Sequence, residues 1–102
     1  MKENTHDYLP EQTIQDVALI FKALADPTRI KILYLLSQQE CSVNQLAEAL
    51  GMSQSAVSHQ LAFLRNLRLV TFRRSGNTFL YTYDDAHVIA LLRQAIDHVA
   101  HQ

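Results

Sequence analysis

The end of the chain concentrates side chains that bind metal ions. Three of the five histidines, His87, His98 and His101, lie within the last sixteen residues, and Asp85 precedes them. Imidazole nitrogens and carboxylate oxygens are zinc ligands, and four of them complete a closed tetrahedral site. These four residues are therefore predicted metal ligands, in a set that suits cobalt(II) as well as zinc.

The spacing of these ligands predicts that one chain cannot complete the site. His98 and His101 are three residues apart, so on a helix they share a face. His87 precedes His98 by eleven residues, about 16 Å of helix rise, which metal–ligand bonds of about 2 Å do not span. An antiparallel partner helix in a two-fold dimer would bring Asp85 and His87 of one subunit beside His98 and His101 of the other. A polar helix with scattered surface histidines is the alternative.

Length and composition indicate one small folded domain. The 102 residues are 48% hydrophobic and 19% charged, as in globular proteins, and a dimer interface would help stabilise so small a domain. The sequence has no apolar run of membrane-spanning length, and its polar N-terminal segment does not resemble a signal peptide. The single cysteine, Cys41, excludes an internal disulfide framework and a site with several thiolates in one subunit. We expect a cytoplasmic protein without a membrane partner or a small organic substrate.

The formal net charge of −1 conceals a segregation of charge along the chain. Residues 49–83 contain no Asp or Glu, whereas the flanking segments 1–48 and 84–102 have net charges of −3 and −2. The basic residues of the central segment are Arg65, Arg68, Arg73 and Arg74. A basic centre between acidic ends favours a surface for a polyanion such as a nucleic acid.

The hydrophobic pattern predicts a mainly helical fold at residues 12–102, preceded by a mobile tail at residues 1–11. Apolar residues recur at helical spacing from about residue 12, and Asp26 before a proline predicts the cap of a second helix that ends near residue 39. Two further short helices, capped by Ser42 and Ser53, are separated by a glycine and predict a helix-turn-helix.

After these helices the pattern changes to that of a hairpin. Segments 69–74 and 78–83 are rich in β-branched and aromatic residues, and a Ser-Gly-Asn turn separates them. Asp84 or Asp85 then caps a last helix that reaches about residue 100. Its apolar residues are spaced four, three and four apart, as in a helix that packs along another helix: Val88, Leu92, Ala95 and Val99.

This order of elements and several segments resemble the ArsR/SmtB family of metal-sensing repressors across about residues 12–102. The segments are FKALADPTRIKILYLL, ECSVNQLAEALGMSQSAVSHQLAFLRNLRLV and RRSGNTFLYTY. The final segment, DDAHVIALLRQAIDHVAH, is similar to the zinc site on the family's C-terminal helix, D-x-H-x(10)-H-x(2)-H, at all four ligand positions. The resemblance implies a winged helix-turn-helix that forms a homodimer through its first and last helices.

The same resemblance implies the function of a repressor. The metal-free homodimer would bind an inverted-repeat operator in double-stranded DNA, and Zn²⁺, or Co²⁺, would act as the allosteric effector that releases it and derepresses metal efflux or resistance genes. In the family, the non-ligating nitrogen of the histidine equivalent to His98 donates to a backbone carbonyl after the recognition helix, here near Arg68, which would couple the metal to the DNA-binding helix.

The resemblance also places the DNA contacts on the fourth helix and the hairpin. Polar residues opposite the apolar face of the fourth helix are predicted to reach base edges or phosphates: Gln54, Ser55, Ser58 and His59. On the hairpin, phosphate or minor-groove contacts are predicted for Arg73 and Arg74, with Asn77 and Thr78 as further candidates. Ordinary surface serines, and stacking of His59 on the hairpin, are the alternatives.

Other metals and other functions remain as alternatives. Cys41 lies where relatives carry a thiolate for a second site, but Val43 stands in place of their second cysteine, which favours a half-buried structural thiol. Nickel sensors recruit extra ligands from the chain ends, and His6 is the candidate here. A constitutive DNA-binding repressor and a zinc hydrolase are the other interpretations; four protein ligands leave no open coordination position for hydrolysis.

Overall fold

The computed structural model describes residues 7–101, which form five helices and one two-stranded antiparallel sheet. The order is α1 (Glu11–Leu24), α2 (Pro27–Leu36), α3 (Val43–Leu50), α4 (Gln54–Asn66), β1 (Val70–Ser75), β2 (Thr78–Tyr83) and α5 (Ala86–Ala100). This order confirms the predicted fold class, mainly α with a small β-hairpin. His6 and the rest of the predicted tail up to residue 6 lie outside the described residues, and within those residues no helix has the length and apolarity to cross a bilayer.

Side-chain caps fix the start of four of these helices. Asp26, Ser42 and Ser53 occupy the N-cap positions of α2, α3 and α4, as the sequence predicts, and of the two aspartates predicted as candidates for α5 the cap is Asp85. Each of these side chains accepts a hydrogen bond from a backbone N–H of the first turn. At α3 the cap is reciprocal, because the Gln45 side-chain oxygen also accepts from the Ser42 backbone N–H over 2.8 Å. The starting points of the helices are therefore encoded locally.

The helix α2 ends at Leu36, three residues before its predicted end near residue 39. The Ser37 hydroxyl donates to the carbonyl of Tyr34 over 2.6 Å, and the Gln38 side-chain amide donates to the same oxygen over 3.2 Å. These side chains satisfy a carbonyl of the last turn that a longer helix would have used, so the chain leaves the helix there.

The hydrophobic core lies between α2, α3, α4, α5 and the hairpin. The predicted inner-face residues of α4 are at most 1% exposed: Val57, Leu61 and Leu64. Other large side chains buried to the same degree come from α2, α3 and the segment that enters β1: Ile32, Leu33, Leu36, Leu46, Leu69 and Val70. This core fixes the helix-turn-helix and the hairpin in one body.

The helix α1 and the second half of α5 lie at the edge of this core. Most of the periodic apolar residues of α1 are exposed in the single chain, namely Ile14, Val17, Ala18 and Phe21, whereas Leu24 packs against the core. The predicted seam of α5 is buried only in its first half, at Val88 and Leu92, and is exposed at Ala95 and Val99. The sequence pattern predicts that these apolar faces of α1 and α5 pack against another element, but no part of residues 7–101 buries them.

The hairpin packs through aromatic side chains. In its register Val70 pairs with Tyr83 and Ser75 with Thr78, and the turn between the strands contains Gly76 at a φ of 64°. The ring of Phe72 lies 4.9 Å from that of Phe79 between centroids, in an edge-to-face arrangement. These contacts give the hairpin of β1 and β2, called the wing below, its own small apolar cluster.

Candidate metal and nucleic-acid sites

The N-terminal half of the predicted metal site is assembled at the start of α5. One carboxylate oxygen of Asp85 accepts hydrogen bonds from the backbone N–H groups of His87 and Val88, over 2.8 and 3.2 Å. The Nδ1 of His87 lies 3.4 Å from the same oxygen, and the His87 side chain is fully exposed. The cap therefore holds the carboxylate beside the imidazole and leaves the second carboxylate oxygen free of the capping bonds.

The C-terminal half of the site lies at the other end of the same helix. His98 is in the last turn of α5, and His101 is its C-cap residue; both are exposed. The Nδ1 of His101 lies 2.8 Å from the carbonyl oxygen of Asp97. With the proton on Nδ1 the ring donates to that carbonyl and presents the lone pair of Nε2, which is the arrangement of a metal-binding histidine with its second nitrogen anchored.

The single chain keeps these two halves apart. Both belong to one continuous helix, Ala86–Ala100 with its two caps, so the rise from His87 to His98 is about 16 Å. Among residues 7–101 no three His, Cys, Asp or Glu side chains come close enough together to hold a metal ion. The donor types, one carboxylate and three imidazoles, nevertheless fit tetrahedral zinc or cobalt(II), so the four ligands stay a prediction.

The polar face of α4 is exposed as the sequence predicts. Its members are Gln54, Ser55, Ser58 and His59. Gln54 is the first residue of the helix, and its side-chain amide Nε2 donates to the side-chain Oδ1 of Asn44 in α3 over 3.0 Å. Sequence reasoning did not find Asn44, because ten residues separate the two amides and only the angle between the two helices brings them together.

Both predicted arginines of the wing are engaged within the chain. Arg73 forms a two-point ion pair with Glu40, in which Nε and Nη2 donate to the two carboxylate oxygens over 2.7 and 2.8 Å. This contact holds the pKa of the Glu40 carboxyl below its usual range and raises the pKa of Arg73. The Nε of Arg74 donates to the carbonyl of Gly76 over 2.9 Å. Glu40 is a second residue that the sequence did not predict, since it lies thirty-three positions from Arg73.

Cys41 is a buried part of the wing's attachment to the body. Its backbone N–H donates to the Tyr81 carbonyl over 3.0 Å, and the Tyr81 N–H donates to the Cys41 carbonyl over 2.8 Å, so it forms a bridge to β2. The residue is only 4% exposed, and burial raises the pKa of its thiol. This environment is typical of a structural thiol, more deeply buried than the sequence suggested.

Arg29 ties the base of the helix-turn-helix to α1. Its guanidinium donates to the carbonyls of Ala23 and Lys22 and to the side chain of Gln60, over 3.0, 3.3 and 3.3 Å. The same group lies 4.4 Å from the centroid of the Phe63 ring. One arginine therefore connects α1, α2 and α4.

The helix-turn-helix, the hairpin and the exposed polar face of α4 define the winged helix-turn-helix class of regulators. Residues 26–71 match the family described as "Bacterial regulatory protein, arsR family". The chain is also 48% identical over 93 residues to the HTH-type transcriptional regulator NmtR of Mycobacterium tuberculosis, over 91% of this chain and 78% of that protein. The chain belongs to the ArsR family of bacterial regulatory proteins.

Further relatives agree with this membership. The "Transcriptional repressor SmtB homolog" of Synechocystis sp. is 47% identical over 85 residues, and the match covers 83% of this chain but 64% of that relative, less than two thirds of its length. The solution structure of apo-NmtR superimposes with a TM-score of 0.79 at 44% identity, over 99% of this chain and 85% of that one. These relatives are transcriptional regulators, which confirms the predicted family and the prediction that the chain is not an enzyme.

One related structure is described as a homodimer. The homodimeric winged helix-turn-helix DNA-binding domain of Mb0332 from Mycobacterium bovis has a TM-score of 0.78 at 32% identity, over 93% of this chain and 90% of that one. This structural relative therefore has the fold class that the sequence predicts for the chain, a winged helix-turn-helix.

Proposed function

We propose that the chain is a metal-responsive repressor. In this proposal its metal-free homodimer binds operator DNA, and Zn²⁺ or Co²⁺ binds at sites shared between subunits and releases the DNA. Release derepresses genes for metal efflux or resistance. The observation that carries the proposal is the division of the four predicted ligands, three exposed histidines and the half-buried Asp85, between the two ends of one helix, α5.

The homodimer is supported by the apolar faces of α1 and α5. Phe21 is 55% exposed and Val99 is 68% exposed. Leu92, Ala95, Ile96 and Val99 of α5 line a shallow apolar depression beside Ile30 of α2, which opens at the surface. A second copy related by a two-fold axis would cover these faces with the same faces of its own, as closed symmetric dimers do. The related Mb0332 domain is homodimeric, which agrees with this assembly.

DNA binding is supported by the exposed face of α4 and by the charge of its surroundings. Ser55, Ser58 and His59 lie on one solvent face, behind Gln54 at the start of the helix. The first residues of such a helix contact base edges in the major groove, and the wing reaches the adjacent backbone. Arg74 is exposed two residues before the glycine of the wing's turn, and although its Nε donates to the Gly76 carbonyl, no acidic group among residues 7–101 neutralises its charge. The two copies of α4 imply an inverted-repeat site.

The metal assignment rests on donor chemistry. One carboxylate oxygen and three imidazole nitrogens are ligands that zinc and cobalt(II) bind in tetrahedral geometry. Cys41 is buried, so the thiolates that a soft-metal site needs are not offered at the surface of residues 7–101. Nickel would need additional ligands, for which His6, outside the described residues, is the candidate. When bound, the ion would supply a fixed link between two subunits and no redox or hydrolytic chemistry.

Coupling to DNA is assigned to His98. Its ring makes no hydrogen bond to any other residue in 7–101, so one nitrogen is available as a ligand and the other as a donor. The predicted acceptor is a carbonyl near Arg68, in the connection between α4 and β1, where Arg68 has a φ of 60°. A donor–acceptor contact there would join the metal-binding helix to the end of the DNA-binding helix.

A mixing experiment tests the shared site. One variant carries Asp85→Ala with His87→Ala, and the other carries His98→Ala with His101→Ala, so each homodimer holds only half-sites. Mixed dimers would regain one complete site, and we expect the visible absorption of tetrahedral cobalt(II) to appear after the two variants are mixed and subunits exchange. Absence of that absorption, with mixed dimers verified by mass spectrometry, would contradict sites shared between subunits.

A further inference from the structure

Two amide side chains form a hydrogen-bonded pair at the start of α4. The Nε2 of Gln54 donates to the Oδ1 of Asn44 over 3.0 Å, and both side chains are exposed. Asn44 lies in the first turn of α3, and Gln54 is the first residue of α4. The pair therefore joins the two helices of the helix-turn-helix at the end of α4 that would enter the major groove.

Both partners are carried by backbone that is itself fixed. The reciprocal cap of Ser42 and Gln45 holds the first turn of α3, on which Asn44 lies. Ser53, one residue before Gln54, caps α4 by accepting from the Ala56 N–H over 3.0 Å. The hydrogen bond between the two amides thus links two ordered helix starts, which is the support a recognition group needs to be held in one orientation.

The pair leaves Gln54 with the groups that match adenine. A glutamine amide has one oxygen acceptor and two N–H donors, and Asn44 occupies one of the donors. The remaining N–H and the Oε1 match the N7 acceptor and the N6 donor of adenine in the major groove. Guanine presents two acceptors there, N7 and O6, so it needs two donors and gives Oε1 no partner.

We propose that Asn44 is a positioning residue that sets Gln54 to read an A·T base pair; the proposal rests on the proposed DNA-binding function. Without Asn44 the amide of Gln54 rotates freely and can turn both N–H groups toward guanine. By holding one N–H, Asn44 removes that option and leaves a donor–acceptor pair that adenine satisfies. Asn44 then determines sequence preference without itself touching the base.

The test uses selection of bound duplexes from a random-sequence DNA library by the metal-free protein. The wild type is expected to enrich an A·T pair at one position of each half-site, with about fivefold to a hundredfold discrimination against G·C. Asn44→Leu keeps the size of the side chain but lacks the acceptor, so it should bind the selected duplexes and lose most of this preference. Asn44→Asp keeps an oxygen acceptor, so it should retain the preference while its added negative charge weakens binding to every duplex.

Further variants separate the possible outcomes. Gln54→Ala should lose the preference at the same position, and its combination with Asn44→Leu should lose no more, because both act on one contact. Gln38→Ala removes an exposed amide at the end of α2 and is the control that should leave the preference unchanged. An unchanged A·T preference in folded Asn44→Leu would overturn the role of Asn44. Failure of the wild type to bind any duplex would instead contradict the proposed function.

Discussion

At the scale of single residues, the ion pair of Glu40 and Arg73 decides how much positive charge the wing presents. Residues 49–83 contain four arginines and no Asp or Glu, but the Glu40 carboxylate, from outside this segment, neutralises one of the four. Charge counted along the sequence therefore overstates the charge available to DNA. A phosphate that contacts Arg73 has to displace Glu40 or share the guanidinium with it.

Replacement of Glu40 tests this account. Glu40→Gln should release Arg73 and tighten binding to operator DNA, and the plot of log K against log salt concentration should become steeper by about one unit. Fluorescence anisotropy over a series of salt concentrations measures both effects. Glu48→Gln, which removes an exposed charge from α3 without touching Arg73, is the matched control. A slope equal to that of the wild type would show that Arg73 does not reach phosphate.

The same pair also predicts a pH dependence of stability. Because the pKa of Glu40 is lowered in the folded chain, the pair stabilises the fold above the ordinary glutamate pKa of about 4.3, and this contribution is lost as the pH falls through the lower, folded value. Urea unfolding of the wild type and Glu40→Gln should therefore differ at neutral pH and converge in acid. A difference that grows in acid would contradict the assignment.

At the scale of elements, the sequence predicts helix starts better than helix ends. Asp26, Ser42 and Ser53 each cap a helix at the position where a short polar side chain precedes a periodic apolar segment. The apolar periodicity places the end of α2 too late. The side chains of Ser37 and Gln38 donate to the carbonyl of Tyr34, and a pattern of apolar residues does not reveal that competition.

The cap of α4 gives a prediction of stability. Ser53→Ala should lower the free energy of unfolding by about 1 kcal/mol, since it removes the acceptor for the Ala56 N–H. Ser55→Ala is the matched control: this serine lies inside the helix and alanine favours helix, so stability should stay equal or rise slightly. Urea unfolding followed by circular dichroism compares the two. Equal losses in both variants would show that the Ser53 cap contributes nothing specific.

The paired contacts between elements were beyond sequence reasoning. The positions of Gln54 and Arg73 on their elements were predicted, but their partners, Asn44 and Glu40, were not. Such pairs depend on the angle at which α3 meets α4 and on the placement of the wing. Those are set by packing of the whole core rather than by any local pattern.

At the scale of the whole molecule, the periodicity of α1 and α5 identifies apolar faces but not what covers them. A helix that packs inside its own chain and one that packs against a second copy have the same apolar period. The structure separates the two cases, since Phe21 and Val99 are exposed in the chain while Val57 and Leu61 are buried. In the proposed dimer, the second copy would bury the exposed apolar residues of α1 and α5.

Substitutions on these faces test the dimer. Phe21→Glu and Val99→Glu should each weaken dimerisation by about a hundredfold or more, because an unpaired carboxylate would be buried at the interface. Sedimentation velocity over a range of concentrations gives the dissociation constant. Tyr34→Glu changes an aromatic residue that is also exposed, 47% in the chain, but lies on α2, and it should leave the dimer intact. Dimers of wild-type strength in both α1 and α5 variants would place the interface elsewhere.

The measurement that tests the central proposal most directly is anisotropy of labelled operator DNA, titrated with the metal-free protein and then with zinc. The wild type should bind the DNA and lose affinity when zinc is added, by the coupling free energy of about 1–3 kcal/mol that is typical of allosteric pairs. His87→Ala should bind the DNA equally well without metal and should hold it when zinc is added. DNA affinity of the wild type that zinc leaves unchanged would contradict the proposal.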